Sequence, residues 1–168
     1  MNIKVGIITA SDKGYAGERK DESGPEIKRI VEEKGYEVIA AKICSDDIDM
    51  LKEALIDFSD HVGCDLILTT GGTGFTPRDN TPEATRAVVE KLTPGCGEAM
   101  RAESMKITPR GMLSRATSGI RGRTLIINLP GSVKAARECL NAVIDALEHA
   151  VEMINGGGEC ASRFNEKK

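Results

Sequence analysis

Short apolar, β-branched runs alternate along this chain with stretches whose apolar residues recur every three or four positions. Residues 3–9, 38–43 and 65–70 read as buried strands. Ser23-Gly24-Pro25 opens a helix with Ile27, Ile30 and Val31 on one face, and Gly35 stops it. Ser45-Asp46-Asp47 supplies cap chemistry for a second helix carrying Ile48, Leu51, Leu55, Phe58 and Val62. Thr81 reads as the cap of a third, with Pro82 in the first turn where its missing N–H costs nothing. Met100, Glu103 and Met105 fit a helix over 94–107. Residues 114–119 and 123–129 read as arms of a β-hairpin turning at Arg121-Gly122. From Ser132 a long helix places Ala136, Leu140, Val143, Leu147, Val151 and Ile154 on one stripe. The pattern predicts an α/β fold: a three-layer α/β/α domain with a mainly parallel sheet and a short β-hairpin. It spans residues 1–156, followed by a flexible polar tail over 157–168.

Composition narrows the function classes. The 168 residues carry a net charge of −3, and only two Tyr, three Phe and no Trp. That leaves neither the basic surface nor the stacking platforms of a dedicated nucleic-acid binder. No run approaches the roughly 20 apolar residues of a membrane span. Met1 leads directly into a strand-like segment without signal-peptide regions, which predicts a cytoplasmic protein. Five widely spaced cysteines without a C-x-x-C pair read as reduced thiols, and His61 and His149 have no partner at ligand spacing. The chemistry therefore rests on neither histidine nor cysteine.

Four loops leave the carboxyl ends of predicted strands, where parallel sheets bind their ligands: Ser11-Asp12, Ser45-Asp46, Gly71 to Asp79, and Pro130-Gly131-Ser132. In Gly71-Gly72-Thr73-Gly74 the glycines permit left-handed backbone and close approach to main-chain N–H groups, which can ring an anion. No Gly-Lys-Ser/Thr follows, so this is not a P-loop, and G-x-G-x-x-G spacing is absent. Asp46 is either a helix cap or a magnesium ligand. Asp79 is either a turn residue paired with Arg78 or a second ligand. Pro130-Gly131-Ser132 is either an ordinary helix cap or a second phosphate-facing turn. Arg110, Arg115, Arg121 and Arg123 add positive charge near the hairpin, for the site or for a solvated face.

These residues together resemble the molybdenum-cofactor biosynthesis proteins of the Mog and MoaB kind, a group that includes the N-terminal domain of gephyrin. The resemblance is carried by TTGGTGFTPRDNTPEAT at 69–85, PGCGEAMR at 94–101, LSRATSGI at 113–120 and INLPGSVKAARECL at 127–140. VGIITASDKGYAGERKDESGP at 5–25 adds to it, and Thr76 and Asn80 depart from the more apolar residues often found there. The resemblance implies a homotrimer and a molybdopterin adenylyltransferase, a nucleotidyltransferase using MgATP. It maps the family's two essential acids onto Asp46 and Asp79, and the pterin phosphate onto Gly71, Gly72, Thr73 and Gly74. Ser11, Asp12, Ser114 and Pro130-Gly131-Ser132 match segments lining the same pocket. The alternatives are a non-catalytic molybdopterin carrier or scaffold of the MoaB type, and a nucleotide-binding module like those of competence-type proteins.

Overall fold

The computed structural model describes residues 1–156, so the tail expected over 157–168 lies outside the described residues. The first apolar run forms β1 (Lys4–Ala10), which pairs in parallel with β2 (Glu37–Cys44) on one side and β3 (Leu66–Thr70) on the other. Next to β3, again parallel, lies β6 (Thr124–Leu129). The sheet closes with two antiparallel strands, β5 (Ser118–Arg121) and β4 (Lys91–Leu92), giving the order β2-β1-β3-β6-β5-β4. Register keeps the parallel ends level: Thr70 lies across from both Thr9 and Leu129, and Ala10 across from Cys44. The loops that follow these strands therefore emerge along one rim.

Alternation within the central strands divides the core in two. Leu66, Leu68, Leu125, Ile127 and Leu129 face one way, against α2 (Ser23–Glu33), α5 (Pro94–Ile107) and α6 (Val133–Ile154). Ile67 and Ile126 face the other way, against α3 (Ile48–Ile56) and α4 (Thr81–Val88). Each of these side chains is essentially fully buried, and burial on that scale contributes about 1.5–3 kcal/mol apiece. The three-layer α/β/α arrangement follows, because each sheet face needs its own covering helices. Among the described residues no helix is long and apolar enough to cross a membrane.

Several local expectations are corrected. The Ser11 turn contains a one-turn helix, α1 (Asp12–Tyr15), capped by the Ser11 hydroxyl accepting from the Gly14 N–H. The helical run toward Val62 ends as α3 at Ile56 and continues through a wider π-type turn over Asp57–His61. The α3 cap is Asp47, whose carboxylate accepts from the Met50 N–H (2.9 Å), and not Asp46. Thr81 is the first residue of α4 rather than its cap; Asn80 precedes it without a side-chain cap bond. The first hairpin arm begins at Ser118, later than expected. Residues 115–117 are drawn elsewhere: the Arg115 N–H donates to the Thr73 carbonyl and the Thr117 N–H to Asn128 Oδ1. Asn128, fully buried, also donates to Thr69 Oγ1 and Thr85 Oγ1, joining β6, β3 and α4.

Candidate active site

The rim opens into a cleft of about 580 Å³ lined by Ser11, Asp46, Gly71, Gly72, Asp79, Gly131 and Ser132 among the residues singled out in the sequence. All four strand-end loops contribute. Its floor is bonded together: Thr70 Oγ1 donates to the Pro130 carbonyl (2.7 Å) and sits 3.1 Å from Ser23 Oγ, while the Gly71 N–H donates to the Leu129 carbonyl. Gly71 and Gly72 both have positive φ, 91° and 68°. A Cβ on Gly71 would lie 2.3 Å from the Ala10 carbonyl oxygen. One on Gly72 would lie 2.3 Å from Thr81 Oγ1 and 3.1 Å from Asp46 Oδ1, so the chain passes here only as glycine. Gly74 does not share the left-handed geometry. Its bare Cα makes room instead for Asp79, whose Oδ2 would be 2.8 Å from a Cβ there. Since the Gly71 amide is spent on Leu129 and neither Thr73 nor Gly74 lines the cleft, the anion-binding capacity of this turn toward the cleft rests on the Gly72 amide, not on all four.

The two acids meet the glycine turn at different residues, Asp46 at Gly72 and Asp79 at Gly74. Asp46 Oδ2 accepts from the Asp12 N–H (3.0 Å), and Asp12 Oδ1 accepts in return from the Asp46 N–H (2.9 Å). Asn80 Nδ2 donates to the Asp46 carbonyl (3.0 Å). Burial pushes the Asp46 carboxyl above its ordinary value, and the charges of Asp12 and Asp79 add to that. Asp79 Oδ2 accepts from the Thr76 N–H (2.9 Å) and Thr76 Oγ1 (2.8 Å). Each acid is thus pinned by one oxygen, while Asp46 Oδ1 and Asp79 Oδ1 meet no protein donor among the described residues. Arg78 does not pair with Asp79. It forks onto Asp12 (2.8 and 3.0 Å) and holds the Asp12 carboxyl below its usual range.

Of the remaining predicted residues, Asp12 positions Asp46 from behind. Pro130 braces the floor through its carbonyl, the Thr73 and Gly74 carbonyls are held by Arg115, and none of the three lines the cleft; Ser114 lies away from it, its carbonyl 3.4 Å from Arg101. Ser132 caps α6 by accepting from the Ala135 N–H, so the start of a 22-residue helix faces the cleft beside Val133. Arg115 binds Glu83 and donates to the Gly74 and Asp79 carbonyls, bracing the 74–79 loop rather than facing a ligand. Arg121 pairs with Asp60, and neither histidine lines the cleft. Cys44, Cys64 and Cys139 are buried free thiols, Cys96 is partly buried, and burial pushes Cys64 up to about 11. Cys160 falls outside the described residues.

Residues 6–149 match the family described as "Probable molybdopterin binding domain". The chain belongs to this family. Among other members, the molybdopterin adenylyltransferase of Helicobacter pylori is 44% identical over 163 residues, covering 93% of this chain and 90% of that protein. The molybdopterin biosynthesis enzyme MoaB from Thermus thermophilus superposes with a TM-score of 0.87 at 47% identity, over 92% of this chain and 97% of that one. The molybdopterin biosynthesis Mog protein from Mycobacterium ulcerans gives 0.86 at 37%, over 93% and 99%. Within this molybdopterin-binding domain, sequence reasoning missed Thr9, Arg19, Lys20, Asp21, Glu22, Ser23 and Thr70, all of which line the cleft. The available signal was topological: a helix packed back along β1 begins at the carboxyl rim, so its leading loop crosses that rim.

Proposed function

We propose that this chain is a molybdopterin adenylyltransferase, a nucleotidyltransferase that moves AMP from ATP to the terminal phosphate of molybdopterin within a single domain spanning 1–156. The reading rests on one observation above all. Asp46 and Asp79 are each fixed by one carboxylate oxygen against the glycine turn, leaving the other oxygen unengaged.

The acceptor phosphate fits the Gly72 amide, where the glycine turn lines the cleft, and the α6 N-terminus, which favour an anion without a mobile counter-charge. A phosphate monoester is mostly ionised at pH 7, so no residue need remove a proton from it. A non-bridging oxygen of that phosphate attacks the α-phosphorus of ATP. The bond from the α-phosphorus to the bridging oxygen breaks, and pyrophosphate departs with the electron pair. Catalysis then consists of in-line positioning and charge stabilisation.

The donor set suits magnesium, a hard ion that takes one or two carboxylates and completes its shell with phosphate and water. Among the described residues no cluster of three or more His, Cys, Asp or Glu forms a cage, which agrees with a site completed by substrate. Asp46 and Asp79 would hold the ion, and when bound it supplies charge neutralisation at the phosphate oxygens. The reading includes a cytoplasmic homotrimer acting on molybdopterin and ATP, without nucleic-acid or membrane partners. Family membership supports the molybdopterin substrate, and the net charge of −3 supports the absence of a nucleic-acid partner.

Asp79→Asn tests it. Molybdopterin affinity should stay within about twofold of the parent, while adenylylated product, followed by mass, should form at least about a hundredfold more slowly. Undiminished turnover would remove Asp79 from the chemistry. A parent protein that binds molybdopterin and never transfers AMP would be the MoaB-type carrier instead.

A further inference from the structure

Two polyanions must share this cleft, yet acids outnumber bases among its charged lining residues: Asp21, Glu22, Asp46 and Asp79 against Arg19 and Lys20. The rim's obvious cations are already committed. Arg78 is held in a two-pronged bond by Asp12, and Arg115 is spent on Glu83 and the Gly74 and Asp79 carbonyls. Only Arg19 and Lys20 remain among the lining cations, and neither side chain makes an ion pair or hydrogen bond among the described residues.

The loop that carries them is tied on both sides. The Glu18 and Arg19 N–H groups donate to the Lys13 carbonyl (2.9 and 3.3 Å). Asp21 accepts from Thr9 Oγ1 (2.9 Å) and from the Gly24 N–H (3.0 Å), so its own charge is engaged downward into the fold. Two long basic side chains are left exposed at the cleft edge between these ties.

We infer that Arg19 and Lys20 form the polyphosphate-binding lip of the cleft, contacting the β- and γ-phosphates of the nucleotide; this rests on the adenylyl-transfer reading. The assignment to the nucleotide follows from charge. The monoester already has the Gly72 amide and a helix start to receive it. The departing pyrophosphate gains negative charge as its bond to the α-phosphorus breaks, and among the described residues no other cation lines the cleft to meet it. Arg19 offers a planar fork and Lys20 a compact point charge.

The test compares the parent, Arg19→Ala/Lys20→Ala and the charge-preserving Arg19→Lys/Lys20→Arg in steady-state kinetics, and titrates each with inorganic pyrophosphate and magnesium by calorimetry. The alanine pair should raise KM for ATP and the pyrophosphate Kd roughly tenfold, the size expected for two solvent-screened contacts. KM for molybdopterin should stay within about twofold, and the swapped pair should recover most of both losses. The salt dependence of KM for ATP should flatten in the alanine pair. Unchanged ATP and pyrophosphate values, or a rise confined to molybdopterin, would overturn the inference. If the parent transfers no AMP, the adenylyltransferase reading fails separately. The pyrophosphate titration then decides alone: weakened binding in the alanine pair upholds the lip, and equal binding overturns it.

Discussion

Gly72 concentrates the demands of the site in one residue. Its backbone is left-handed, and Thr81 Oγ1 and Asp46 Oδ1 both crowd the position a Cβ would occupy. Gly72→Ala should therefore cost about 1–3 kcal/mol in urea unfolding, through strain and displacement of neighbours. It should also weaken molybdopterin binding at least about tenfold, because its own amide lines the anion site. A variant with parental stability and affinity would show that the turn tolerates a side chain. Thr76 and Asn80 make a related point. Both depart from the apolar residues expected by resemblance, and each hydrogen-bonds an acid-bearing loop, Thr76 to Asp79 and Asn80 to the Asp46 carbonyl. The position of Asp46 beside the glycines was legible from strand-end topology. Its freedom from capping was not, since Asp46 and Asp47 are chemically identical and only local backbone geometry gives the cap to Asp47.

Among the elements, α2 and α6 are joined across the sheet face by Glu26. Its carboxylate accepts from Arg29 on its own helix (2.9 and 3.0 Å) and from Arg137 on α6 (2.6 Å). The two guanidiniums, Arg29 first, hold Glu26 down at about 2, from an ordinary value of 4.5. A carboxylate depressed in the folded state adds stability above its unfolded value, and that contribution disappears as pH falls through the folded one. The gap in melting temperature between the parent and Glu26→Gln should hold steady above about pH 4.5 and close toward pH 2; a gap that ignores pH would refute the clamp. The long elements were readable because their periodicity reports burial: Ile67 and Ile126 against Leu66, Leu68 and Ile127 is the alternation that builds two cores. Short ones escaped. β4 has two exposed residues held by pairing with β5, and α1 is a single turn made by the Ser11 cap; neither buries enough to leave a hydrophobic signature.

At the scale of the whole molecule, one surface stands out. Met105, Ile107, Met112 and Leu113 are 42%, 55%, 58% and 44% exposed along the end of α5 and the 3₁₀ turn Pro109–Leu113 that follows. Several large apolar side chains exposed close together in sequence are a feature of surfaces that proteins bury by association. The homotrimer of our reading should weigh three times the monomer by light scattering, and Met105→Glu with Met112→Glu should lower that mass. A monomer at all concentrations would reject the assembly.

The hydrogen-bonded base beneath the cleft has a further consequence. Thr70, Pro130, Leu129, Gly71 and Ser23 lock three chain crossings into one unit that cannot change piecemeal, because each polar group there depends on another. The side chains of Arg19 and Lys20, on a loop tied by its own backbone, share none of those bonds. Discrimination between phosphate-bearing ligands can thus be retuned along a peripheral strip, substitution by substitution, while the foundation that aligns the reacting atoms stays as it is.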